Sequence, residues 1–388
     1  MSYNDNYSLI AYGQMIEDLG RFQPWLDALR RHIHEDSVVL DIGCGPGAMS
    51  FLACRFGARK VYAIEPDGSI EVAKRCAAGI PGADRIEWIR GMSTQIDLPE
   101  QADIVVGDLH GNLPFYTSNI ASLADARKRH LKPGGILLPR RDQLYAVPAS
   151  APWEIDAIEA PWRRNALDLD LTPALSMLVN QFWRARGKET DAERLLAEPA
   201  HWGTVDYHAA EETRGLDSTL DWTLDCGGRV DGLYVWFDGE VDTGLGFSNS
   251  PLLPELQYGR AFFPLEHPVD VHAGDRMQTR LSVRRMLDNW VFRWDTRITD
   301  AASVTKASFK QSTFRMQPED LALLRKSDAS HAPVLAEDGQ IRLMVLSMMD
   351  GQHSLSDIAN VLLARHPKQF RNFEMALAEA ASCSRRFG

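Results

Sequence analysis

Between residues 38 and 147, short apolar runs alternate with segments that carry apolar residues at helical spacing. The runs VVLDIG, KVYAIE, IEWIRG, ADIVVGD and GILLP are bounded by Gly, Pro or Asp, and AMSFLACRFG and SIEVAKRCAAG lie between them. Alternation of this kind predicts a parallel sheet with crossover helices. Upstream, Leu9, Ile10, Met15, Ile16, Leu19, Phe22, Trp25, Leu26 and Leu29 follow a helical period, with a break expected at Pro24. From about residue 150 the pattern changes. ALSMLVNQFWRARGKETDAERLLAEP reads as one or two helices, whereas WTLDCGGRVDGLYVWFDGEVD and AGDRMQTRLSVRRMLDNWVFRWDTRI alternate like strands. The last 75 or so residues read as helices, with Asp350 and Gly351 closing one and a Ser354-to-Asp357 capping box opening the next.

A chain of 388 residues is too long for one ordinary core, so two or three domains are expected. The formal charge of -11 argues against a nucleic-acid-coating protein, because phosphate backbones attract basic surfaces. No apolar run approaches the ~20 residues of a membrane span, and MSYNDNYSLIAYGQ does not read as a signal peptide, so no membrane role is expected and a cytoplasmic location is. The five cysteines are scattered without a C-x-x-C pair and read as free thiols; no metal site is expected, including at HIH, residues 32–34.

Candidate chemistry begins at LDIGCGPG, where Gly43, Gly45 and Gly47 directly follow a strand. Backbone free of side chains can approach a ligand closely there. The spacing is G-x-G-x-G, not the G-x-G-x-x-G of dinucleotide sites, and the Gly-Lys-Ser/Thr ending of a P-loop is lacking. Glu65, at the carboxyl end of the next strand, is placed to accept both hydroxyls of a ribose. The competing reading is a structural glycine turn with Glu65 as a solvated helix cap.

With Asp41 and Glu65 in register, these residues resemble the first motif of S-adenosyl-L-methionine (SAM) methyltransferases. YSLIAYGQMIEDLGRFQPW, VVLDIGCGPG, GARKVYAIE, GDLHGNLPFYTSN, LKPGGILLPRRDQLYAV and GFSNSPLLPE further occur in the order found in protein arginine N-methyltransferases, over roughly residues 3 to 300. The resemblance implies an α/β, Rossmann-like SAM-binding domain with amino-terminal helices (1–147). It implies next a β-barrel-like domain (148–305) with a helical dimerisation arm near 165–198, giving a homodimer. It also implies that Arg21 meets the SAM carboxylate, Asp41 and Gly43 line the methionine end, Gly45 binds the cofactor with them, Glu65 holds the ribose, and Met92, Ser93 and Thr94 meet the adenine. Met15 packs near the sulfonium or belongs to the core.

The chain departs from that family where a guanidinium would bind. The family's S-E-W-M-G-x-x-x-x-Y-E hairpin supplies two glutamates; here Asp108 and Thr117 stand in their places. Its Thr-His-Trp loop reads Leu256, Gln257, Tyr258, followed by a basic Arg260. Too little negative charge remains for a cationic planar group, so a peptide or small-molecule acceptor other than arginine is expected. His110, beside Asp108, is a candidate base for an acceptor proton, or else a histidine at the surface or behind the residues that touch the ligand. The tail, 306–388, resembles small winged-helix modules, including those that hold leader peptides. Genuine arginine methylation and a non-catalytic SAM-binding regulator remain the rival readings.

Overall fold

The computed structural model describes residues 8–116, 118–185, 195–211, 215–286, 289–316, 326 and 330–388. The alternating region forms β1 (Val38–Ile42), α3 (Ala48–Arg55), β2 (Lys60–Glu65), α4 (Ser69–Ala77), β3 (Ile86–Arg90), β4 (Ala102–Val106), α5 (Asn119–Arg129) and β5 (Leu131–Leu138). The strands build a parallel sheet of order β3-β2-β1-β4-β5. Every residue of β1 is buried, as expected of a strand covered on both faces. Strand order reverses beside β1, so the loops after β1 and β4 flank the crevice where such sheets take ligands.

Two helices precede the sheet, α1 (Leu9–Glu17) and α2 (Leu19–His32). The break falls at Asp18 and not at Pro24. The Asp18 side chain accepts from the Arg21 amide and caps α2, and α2 runs on through Pro24.

The antiparallel part begins at β6 (Arg141–Ala149), so the division expected at 147/148 falls inside a strand. β6 pairs with β10 (Gly228–Asp242) from Arg141–Glu240 to Ala149–Gly232. One sheet has the order β7 (Trp183–Arg184), β12 (Ala261–Val271), β10, β6, β8 (Ala200–Asp206), with β11 (Leu245–Ser248) on β10. The other runs β15 (Thr305–Ser312), β14 (Asn289–Thr299), β13 (Arg276–Met286), β9 (Leu216–Thr223). Buried indole donors tie the sheets: Trp294 Nε1 donates to the Pro264 carbonyl and Trp202 Nε1 to that of Leu281. The outer face of the first sheet is covered by α6 (Pro152–Arg163).

The stretch expected as a helical arm is only partly helical. After a 3-10 turn at Thr172–Ala174, α7 is one turn, Leu175–Leu178, and Trp183 and Arg184 pair instead with Phe262 and Ala261 at the sheet edge. Leu175 is buried within its own chain, and Phe182 stacks on Phe263 with ring centroids 5.0 Å apart. Residues 186–194 of that stretch lie outside the described residues.

The chain divides into two compact units, Met1–Gln317 and Pro318–Gly388, so the boundary expected at 305/306, inside β15, moves beyond that strand. The second unit contains α8 (Glu337–Ser347), α9 (Leu355–Arg365) and α10 (Phe373–Phe387), packed around Ile341, Val345, Ile358, Leu362 and Phe370. The capping box at Ser354 and Asp357 is formed. Among the described residues this unit has no strand, and so no wing. No helix among the described residues is long and apolar enough to cross a membrane.

Candidate active site

The turn after β1 has the shape its glycines permit. Gly43 and Gly45 take φ of 67° and 51°, where L side chains are strained. A Cβ on Gly43 would clash with Leu109, and one on Gly45 would come within 2.8 Å of the Tyr12 ring. Glu65 ends β2 and braces this turn: Gly45 N donates to its Oε2 (2.9 Å) and Asp67 N to its Oε1 (3.0 Å). Each oxygen keeps a second lone-pair direction for a ligand hydroxyl. Burial pushes the Glu65 carboxyl above its ordinary range. Asp41, wholly enclosed, accepts from Ser50 Oγ at 2.6 Å, and burial raises it to about 7.

Helix α1 lays Tyr12, Met15 and Ile16 over this turn, and the first turn of α2 presents Arg21. A single cavity of about 540 Å³ is lined by Arg21, Asp41, Gly43, Gly45, Glu65, Ser93, Asp108 and His110 together. Met15 and Met92 also line it, while Thr94 does not. The donor set fits a nucleoside bearing an amino-acid tail: a glycine cradle, a buried carboxylate for vicinal hydroxyls, and an arginine at the far end for a carboxylate.

Beyond Arg21 the cavity ends in a buried chain of charges. Arg21 forms an ion pair with Asp108 Oδ2, and its other terminal nitrogen donates to the Met15 carbonyl at 3.0 Å. Tyr258 Oη donates to the same Asp108 oxygen (2.7 Å), while His110 Nδ1 donates to Oδ1 (2.9 Å). On its other side His110 Nε2 donates to Asp142 Oδ2 (2.9 Å), which also accepts from Tyr207 Oη (2.5 Å). Burial alone would push Asp108 up, yet Arg21 and His110 outweigh it and hold the carboxyl at about 2. Burial likewise pulls the His110 imidazole down, but Asp142 and Asp108 on its two nitrogens prevail and raise it to about 10.

This geometry revises two expectations. Both ring nitrogens of His110 are committed to carboxylates, so no lone pair remains to take an acceptor's proton, and the ring acts here as a cation. Arg260 does not line the cavity: it is 1% exposed, and its Nη2 donates to the Leu253 carbonyl at 3.5 Å. The basic side chain at the cavity rim is Arg184, paired with Glu255 at 3.4 Å. Thr117 lies outside the described residues.

Asp142 and Tyr207 escaped the sequence reading, and Tyr258 was named there only as a loop position without a role. One signal was present for Asp142. In RDQLYAV it shares the strand face of Leu144 and Ala146, which makes it a carboxylate pointing into the core.

An acid whose folded-state value lies above its unfolded one stabilises the fold below the unfolded value and loses that contribution as pH rises through the folded one. Through Asp41, then, the ligand-free protein should lose stability between the ordinary aspartate value of 3.8 and about 7. Asp41→Asn retains an acceptor for Ser50 and removes the titration. Its melting temperature relative to wild type should rise steadily from pH 4 to pH 8, by the equivalent of a few kcal/mol; a constant difference would contradict the assignment.

Residues 39–135 match the family described as Methyltransferase domain. The probable histone-arginine methyltransferase CARM1 of Oryza sativa subsp. indica is 30% identical over 290 residues, 70% of this chain and 54% of that one. Protein arginine N-methyltransferase 6 of Danio rerio is 25% identical over 72% of this chain and 84% of its own. The chain spans about half the length of the first of these curated relatives. Among solved structures, an open conformation of Arabidopsis thaliana protein arginine methyltransferase 10 superposes with a TM-score of 0.66 at 20% identity, covering 79% of this chain and 97% of the other. The Trypanosoma brucei PRMT1 enzyme–prozyme heterotetrameric complex with AdoHcy gives 0.65 at 20% identity, covering 78% and 96%. The glycine turn, Glu65, the sheet order and these likenesses agree: the chain carries a class I SAM-dependent methyltransferase domain and resembles the protein arginine N-methyltransferases from its amino-terminal helices through its antiparallel sheets.

Proposed function

We infer that the protein transfers the methyl group of SAM to a neutral or anionic acceptor, a peptide or a small metabolite. The observation that carries this reading is the state of Asp108. Oδ2 is taken by Arg21 and Tyr258, and Oδ1 by His110. A guanidinium needs a carboxylate that can face it with both oxygens. Without one, a buried cation costs several kcal/mol.

SAM, when bound, supplies an electrophilic methyl on its sulfonium. The residues of this chain bind, orient and exclude water. Glu65 takes the ribose hydroxyls, Met92 and Ser93 border the base, and Arg21, Asp41 and Gly43 hold the amino-acid end. Tyr258 and Gln257 wall the far side and keep solvent from the acceptor. Transfer to a good nucleophile then needs mainly alignment, which this enclosure supplies without a general base. Asp108 has an orienting part here, and His110 acts through it.

Arginine N-methylation is the second reading. The names of the relatives favour it, with Asp108 as the surviving acid of the clamp.

A homodimer is also part of the proposal, although its basis shifts. Leu175 and Phe182 are satisfied within their own chain, but Trp162 in the last turn of α6 and Leu167 and Leu169 just after it are 37%, 71% and 54% exposed. Apolar side chains gathered in one connection suit a symmetric contact with a second copy. Sedimentation velocity at micromolar concentration should show a dimer, and Leu167→Asp with Leu169→Asp should shift it to monomer. A wild-type monomer throughout would remove this part.

For the cofactor, Glu65→Ala should weaken binding of S-adenosylhomocysteine by ~1.5–3 kcal/mol, the range for hydrogen bonds to a charged group. Calorimetry on the folded variant decides; unchanged affinity removes the central assignment. For the acceptor, methyl label from SAM should reach arginine peptides far more slowly than the ~1–10³ per second of ordinary enzymes. Turnover in that range on such peptides would establish the second reading.

A further inference from the structure

The charged chain at the end of the cavity continues past any residue that could touch a ligand. Its members alternate in sign, Arg21, Asp108, His110, Asp142, with the Tyr207 hydroxyl at its end, and Asp142 and Tyr207 come from the antiparallel part of the fold. Asp142 lies on β6 and Tyr207 just beyond β8, whereas Asp108 and His110 lie on the loop after β4. The side chains of His110 and Asp142 are fully shielded from solvent.

Everything that faces the His110 ring favours a cation there. From the β4 loop comes Asp108, from β6 Asp142, from beyond β8 the Tyr207 hydroxyl, and from the 256–258 loop Tyr258. Arg21 of α2 is the one opposing charge, and Asp108 stands between it and the ring. Phe237 stacks on the imidazole at 5.1 Å, and Trp25, Tyr207, Phe247 and Tyr258 close the box at 5.7 to 6.3 Å. Aromatic faces attract a desolvated cation. A neutral imidazole could give a proton to only one of its two carboxylates and would leave the other without its bond.

We propose that Asp142 and Tyr207 are positioning residues: they keep His110 doubly protonated, so that Asp108 is shared between two cations and Arg21, less tightly held by it, can turn its remaining N–H donors to the cofactor carboxylate. Tyr207 fixes the Asp142 oxygen with its own hydroxyl, itself met by Asn119 Nδ2 at 3.3 Å. With His110 neutral, Arg21 becomes the sole counterion of Asp108, is drawn toward it, and binds an incoming carboxylate less well. The inference rests on the cofactor reading above and adds residues that touch neither cofactor nor acceptor.

The test uses the full-length protein, Asp142→Asn and Tyr207→Phe, both close to isosteric. In wild type, nitrogen NMR of His110 should show both ring nitrogens protonated from pH 6 to pH 9. In Asp142→Asn its titration midpoint should fall by at least one to three pH units, the usual influence of one nearby opposite charge. Tyr207→Phe should shift it in the same direction by less. Affinity for S-adenosylhomocysteine, measured by calorimetry across the same range, should fall roughly fivefold or more from pH 6 to pH 9 in Asp142→Asn relative to wild type. Asp41 titrates in both proteins and drops out of that ratio.

A neutral His110 in wild type at pH 7 overturns the proposal. So does an Asp142→Asn affinity that keeps the wild-type pH profile, which is what a merely structural role would give. If Asp142→Asn does not fold, Tyr207→Phe decides by the same two readings. Wild type that binds no S-adenosylhomocysteine at any pH defeats the cofactor reading, and this proposal with it. Binding with a flat variant profile defeats the proposal alone.

Discussion

Four charges lie largely buried at the end of the cavity, and the site's design follows from the need to neutralise them. Arg21 and His110 are cations, Asp108 and Asp142 anions, and they alternate so that each anion touches a cation. Removing one member of such an arrangement leaves an uncompensated buried charge, which costs far more than an exposed ion pair gives. The aromatic box around His110 and the two tyrosine hydroxyls complete the solvation that the protein provides in place of water. A ligand entering from the cofactor side meets a group already balanced. It is received well if it brings a carboxylate to Arg21, and poorly if it adds a further cation beside Asp108.

The cofactor end obeys a different constraint, the approach of backbone to ligand. Gly43 and Gly45 hold conformations that a side chain would strain, and Glu65 secures the turn from below through two amides. This half of the site was legible in the sequence because its parts are local: a strand, a turn that only glycine tolerates, and an acid at the end of the next strand. The strand segments of the parallel sheet were legible for the same reason, each being a short apolar run with a punctuated end.

What the sequence did not disclose depends on pairing over long separations. Asp142 and Tyr207 meet His110 because β6 and β8 bring them there, and nothing in the periodicity around residue 110 points to either. Arg260 read as a charge near the acceptor because it follows the aligned loop, yet it is buried and does not line the cavity. In the described part of the arm that the resemblance implied near 165–198, Phe182 finds its partners in Phe263 and Phe292, which no local pattern announces. The break at Asp18 and not Pro24 shows a side-chain cap deciding where a helix starts, while a proline inside it is tolerated.

The chain of charges spans two layers of the fold that a reader of domains would separate. Its first half sits on a loop of the parallel sheet and its second on the antiparallel sheets, so the methyltransferase layer is not portable. Cut free at β5 or grafted to another partner, it would carry His110 with one carboxylate missing and only Trp25 left of its aromatic box. The same linkage couples Asp108, His110, Asp142 and Tyr207 energetically: a change at one alters the surroundings of the other three, so their effects should not add.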